Sequence, residues 1–99
     1  MKRADECTGI AEIRAEIDRI DRVVITALGE RFEYVKAAAK FKSNSSEVAA
    51  PSRVSAMLEQ RRVWAVEAGL DPDMVEKLYR DLVSYFVSQE QKHFGELSK

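Results

Sequence analysis

Apolar residues recur along the first part of the chain in steps of three and four: Ile10, Ile13, Ile17, Ile20, Val24 and Leu28, then Val35 and Ala38. Side chains so spaced line one side of an α-helix. No proline interrupts the run from Thr8 to about Lys42, Thr8 suits an N-cap and Glu12 suits the first turns, so one long amphipathic helix is expected, with Gly29 its weak point. Residues 43–50 are small and polar and precede Pro51, which reads as a loop. Pro51 opens a second helix whose stripe is Val54, Met57, Leu58, Trp64 and Ala65, and Gly69 closes it from the C′ position. Asp71 caps a third helix with Pro72 in its first turn and Val75, Leu78, Tyr79, Leu82, Phe86, His93, Phe94 and Leu97 on its stripe. Nothing alternates with period two for long. The expectation is an all-α fold of three helices in a single domain spanning residues 1–99.

Length changes that picture. A first helix of about 33 residues would extend ~50 Å, whereas a compact chain of this size has a radius of gyration of about 13 Å. An apolar stripe on a protruding helix needs a cover, and a second copy of the chain supplies one. An intertwined homodimer is therefore expected, unless Gly29 breaks the helix and the chain folds back as a four-helix monomer.

Composition removes several function classes. The 99 residues are 45% hydrophobic and 33% charged, with 16 Lys and Arg against 17 Asp and Glu, which fits neither a disordered tail nor a basic nucleic-acid binder. No apolar run approaches the ~20 residues of a membrane span, and residues 1–9 lack the core of a signal peptide, so a cytoplasmic protein with no membrane partner is expected. Cys7 is the single cysteine and His93 the single histidine, too few for an internal disulfide or a zinc site. Glycine-rich nucleotide cradles are absent.

Candidate chemistry lies where the stripes are violated. Beyond Leu28 the first stripe lands on Arg31, then Val35, Ala38 and Lys42. Arg31 and Lys42 are eleven residues apart, so on one helix they point within about 20° of each other at ~16 Å, and a small dianion fits between two such long side chains. Buried unpaired cations cost several kcal/mol each, about enough to demand an anion from the protein or from a ligand; the simpler reading is a pair of snorkelling side chains at the helix end. On the third helix the series Val75, Tyr79, Leu82, Phe86 arrives at Glu90, a carboxyl on an apolar face. Its surroundings decide whether it donates a hydrogen bond or carries a charge, and a salt bridge to a misplaced cation is the simpler alternative. Arg14 lies beside the first stripe with Asp18 and Asp21 at helical spacing, as a surface ion pair would. It is turned by roughly 260° from Arg31, so the two do not readily serve one site within a single helix, whereas in a dimer they could meet across the two chains. Arg53 stands near the start of the second helix, where the positive end of the dipole disfavours it unless an anion is near, and Arg61 falls on that helix's stripe. His93, Cys7 and the aromatic residues read most simply as packing or surface groups.

The run from Cys7 to Asp21, with Ile13-Arg14 followed by Ile17-Asp18 and Ile20-Asp21, resembles the first helix of the all-helical chorismate mutase family. Residues 27–42, then Pro51-Ser52-Arg53-Val54 and Trp64-Ala65 through Gly69-Leu70-Asp71, resemble more narrowly the isochorismate pyruvate lyases of salicylate and siderophore biosynthesis. The similarity runs without gaps from about Asp5 to Phe94. It implies a homodimeric, cofactor-free enzyme that cleaves isochorismate to salicylate and pyruvate in a pericyclic step, with weak chorismate mutase activity in the same pocket. It implies Arg31 and Lys42 as cationic site residues of one subunit and Arg14 as the arginine given by the other. Glu90 stands where that family carries glutamine, a departure that leaves a dedicated chorismate mutase as the nearest alternative. A non-catalytic helical dimer that binds an anion is the alternative of another class.

Overall fold

The structure is a computed structural model that describes residues 2–41 and 51–97. Lys42 and the expected loop at 43–50 lie outside the described residues, as do the side chains of His93, Phe94 and Leu97. Among the described residues all regular structure is helical: α1 (Ile10–Ala38), α2 (Pro51–Glu67) and α3 (Pro72–Leu97), with short 3-10 turns at Ala4–Glu6 and Ala39–Phe41. The contacts divide the chain into two compact units, residues up to Tyr34 and residues from Val35 onward.

The first unit is most of α1 with the segment that precedes it. Helix α1 runs unbroken through Gly29, which removes the expected alternative of a break there; its 29 residues extend about 44 Å. Its N-cap is Gly9 rather than Thr8, because the Gly9 carbonyl accepts the first helical bond, from Ile13 N–H at 3.3 Å. Thr8 acts one position earlier, donating its backbone N–H to Glu12 Oε2 at 2.9 Å. The helix tightens to 3-10 from Ala39 and is described through Phe41. No residue of α1 is buried. Ile10, Ile17, Ile20 and Val24 remain 61%, 51%, 49% and 49% exposed, and the β-branched run Val23-Val24-Ile25-Thr26 lowers the helix's own propensity. A helix of this composition depends on burial of its stripe for stability.

Residues 2–8 fold back along α1 as a strap. Lys2 Nζ donates to Glu12 Oε1 at 2.9 Å, and the Lys2 backbone N–H donates to Glu16 Oε1 at 3.3 Å. A cleft of about 510 Å³ remains between strap and helix, floored by Ile13, Ile17 and Ile20. The strap therefore stands off the stripe instead of sealing it.

The second unit builds its own core. Met57, Leu58 and Ala65 of α2 and Val75 and Phe86 of α3 are buried, and so is Ala39 in the 3-10 turn, which packs on α3. Helix α2 ends in a Schellman motif: Leu70 N–H reaches Ala65 O at 2.8 Å, Gly69 N–H reaches Val66 O at 3.1 Å, and Gly69 takes φ +78, where a side chain would be strained. Helix α3 begins with Asp71 as N-cap, its Oδ1 accepting from Asp73 N–H at 2.9 Å ahead of Pro72 at the first helical position. Arg62 Nη1 binds Asp73 at 2.8 Å and Glu76 at 3.0 Å, and Arg80 Nε binds Glu76 at 2.9 Å, tying the end of α2 to the start of α3. Arg80, then Arg62, hold the Glu76 carboxyl below its ordinary value. Trp64 and Leu78, expected on the two stripes, are about half exposed instead.

Candidate functional site

The residues singled out by sequence fall into two groups. Arg14 and Arg31 are both on α1. Arg14 is exposed; Arg31 is half-buried, and its Nη1 is sealed from solvent. They are seventeen residues apart, about 26 Å along the axis and turned about 100° from each other. One straight helix cannot bring both guanidinium groups to one small ligand.

Glu90 and Arg53 belong to the second unit. Glu90 is 5% exposed, with Oε1 sealed from solvent, one turn beyond the buried Phe86 on the core face of α3. The stripe of α3 thus carries a carboxyl into the interior, as its phase required. Arg53 is exposed in the first turn of α2. Lys42 falls outside the described residues, so its partnership with Arg31 stays an expectation from helical phase.

Sequence reasoning missed how the one stripe cation of α2 is held. The Arg61 guanidinium carbon lies 4.6 Å from the Trp64 ring centroid and 5.7 Å from that of Tyr79, and its Nη1 donates to Gln60 Oε1 at 2.8 Å. Faces of electron-rich rings attract a cation, so Trp64 serves here as a platform for Arg61 rather than as core. The spacing of Arg61 and Trp64, three residues apart on a helix, was the available signal. Also missed was the Lys2 strap, whose partners lie ten and fourteen residues away in sequence. Among the described residues no cluster of His, Cys, Asp or Glu could hold a metal ion, and no helix is long and apolar enough to cross a membrane.

Compared with known protein families, residues 13–91 match chorismate mutase type II. The chain belongs to that family. The matched span of this chorismate mutase type II chain contains Arg14, Arg31, Lys42, Arg53 and Glu90. It is 45% identical over 94 residues to an isochorismate pyruvate lyase of Pseudomonas aeruginosa, a match covering 95% of this chain and 93% of that protein. It is also similar to two proteins named T-protein. That of Haemophilus influenzae is 36% identical over 72% of this chain but is covered only to 19% of its own length; that of Enterobacter agglomerans is 29% identical over 89% of this chain and is covered to 24%.

Proposed function

We propose that the chain is an isochorismate pyruvate lyase that cleaves isochorismate to salicylate and pyruvate without a cofactor, with weak chorismate mutase activity in the same pocket. The observation that carries this reading is the 45% identity to a lyase of that name across nearly the full length of both chains. Supporting it are the cation half-buried at a stripe position, Arg31, and the carboxyl buried at another, Glu90.

The substrate is a dianion whose ether C–O bond breaks, with negative charge growing on oxygen, as a ring C–H hydrogen passes to the enolpyruvyl methylene carbon, so that the ring becomes aromatic salicylate and the side chain leaves as pyruvate. Arginines hold carboxylates in bidentate geometry and fold the enolpyruvyl group over the ring, which removes most of the orientational entropy of the reaction. Lys42 presents a compact charge to a carboxylate and to the breaking ether oxygen, and charge placed where it develops lowers the barrier. Arg53, at the positive end of α2, joins the cations around the carboxylates. Glu90 in its protonated form donates a hydrogen bond to the ether oxygen. No base or nucleophile is needed for such a pericyclic step, and Cys7 and His93 have no part in it.

The site is completed between two copies. Arg14 of one chain joins Arg31, Lys42 and Glu90 of the other, since a single α1 holds the two arginines about 26 Å apart, and the second copy covers the exposed stripe of α1. The enzyme works in the cytoplasm. A dedicated chorismate mutase is the second reading, favoured by Glu90 in place of glutamine. Assays of purified protein with isochorismate and with chorismate, following salicylate and prephenate, test both. Salicylate formation dominating supports the lyase, prephenate formation dominating supports the mutase, and silence with both overturns the enzymatic reading.

A further inference from the structure

The strap has a feature that the reaction as proposed does not use. Its clasp consists of two carboxylates one turn apart: Glu12 holds Lys2 Nζ and the Thr8 N–H, and Glu16 holds the Lys2 N–H and Arg19 Nε, the last at 2.6 Å. Within the strap, Glu6 N–H bonds Arg3 O at 2.9 Å and Arg3 N–H bonds Glu6 Oε1 at 3.0 Å, closing the 3-10 turn into a compact unit. Glu12 and Glu16 each lie about 160° around α1 from Arg14. The strap therefore grips the helix from the side opposite Arg14, across the first two turns, where a helix otherwise frays.

We propose that Lys2 is a positioning residue for Arg14: by clasping Glu12 and Glu16 it keeps the first turns of α1 wound and so holds Arg14 aimed at the substrate dianion. The inference rests on the reading of Arg14 given above. Covering the stripe is not what the strap does, because the cleft beneath it leaves Ile17 and Ile20 about half exposed. If frayed and wound forms interconvert before substrate binds, only the wound form is competent. The apparent affinity then falls by the competent fraction, while saturating substrate recovers full turnover.

The test compares Lys2→Met and Lys2→Arg with the wild-type protein, using whichever of isochorismate and chorismate the wild type turns over. Steady-state kinetics are combined with hydrogen exchange at the amides of residues 13–17. Lys2→Met, which removes the Nζ contact to Glu12 and leaves the backbone contact to Glu16, is expected to raise KM measurably but by no more than about fivefold, the most an exposed ion pair can shift the wound fraction, with kcat unchanged. Exchange at residues 13–17 should quicken in parallel, and Lys2→Arg should restore both. Faster exchange with unchanged KM would overturn the proposal, as would a joint loss of kcat and melting temperature with KM unmoved. A wild-type protein silent with both substrates would remove the reading of Arg14 and the proposal with it.

Discussion

Helix α1 and the α2–α3 hairpin carry stripes of the same kind, yet only the hairpin closes a core. In the hairpin, Met57, Leu58 and Ala65 meet Val75 and Phe86, and both helix ends at the turn are finished by a Schellman motif, an aspartate cap and the Arg62 network. In α1 the stripe from Ile10 to Val24 stays between 37% and 61% exposed. Helical periodicity fixes which face is apolar but is silent on what that face meets. A stripe met by a neighbouring helix makes a core; the exposed stripe of α1 is the face that the proposed second copy would cover.

Activity and stability should therefore separate along this division. The largest effect is expected from the two cations that continue the first stripe: Arg31→Ala and Lys42→Ala should each lower kcat/KM by roughly 10²–10³, the usual cost of removing one donor to developing charge, with melting temperature little changed. A parallel collapse of stability would mean that these residues serve the fold. Next comes Phe86→Ala in the hairpin, expected to cost about 3–5 kcal/mol in denaturant unfolding, independent of protein concentration. Ile17→Ala on α1 is its counterpart. With a second copy on the stripe it should cost about 2–5 kcal/mol, in a protein whose melting temperature already rises with concentration, whereas a stripe left to solvent would hold the cost within about 0.5 kcal/mol.

Much of this division was legible in the sequence. Prolines, Gly69 and Asp71 marked the helix ends because their backbone chemistry is local, and the phase of each stripe located Arg31 and Glu90 before any coordinates. Local rules were less secure where neighbouring groups compete: Thr8 and Gly9 both suit an N-cap, and the Gly9 carbonyl took the first helical bond. Long-range pairings left no periodic trace. Lys2 finds Glu12 and Glu16 only because the strap reverses direction, and Trp64 lies under Arg61 although its hydrophobicity suggested the core.

Smaller effects sharpen the comparison further. Glu90→Gln replaces a group that donates only when protonated with one that donates at any pH, so the dependence of turnover between acid and neutral pH should flatten; an unchanged profile would detach Glu90 from the substrate. The smallest effect is expected from Glu76→Gln. Since Arg80 and Arg62 hold that carboxyl below its ordinary value of 4.5, its stabilising contribution is complete above that value and is lost as pH falls through the lowered one. The gap in melting temperature between wild type and variant should therefore be present at neutral pH and close in acid, and a gap that persists unchanged into acid would exclude the ion pairs as its source.

The most direct measurement mixes two inactive variants, Arg14→Ala and Arg31→Ala, under conditions that let subunits exchange. A site built from both chains predicts that activity returns to about one quarter of the wild-type level, because half of the dimers are mixed and each mixed dimer holds one intact site. Activity that stays at the level of the separate variants after exchange would contradict the account.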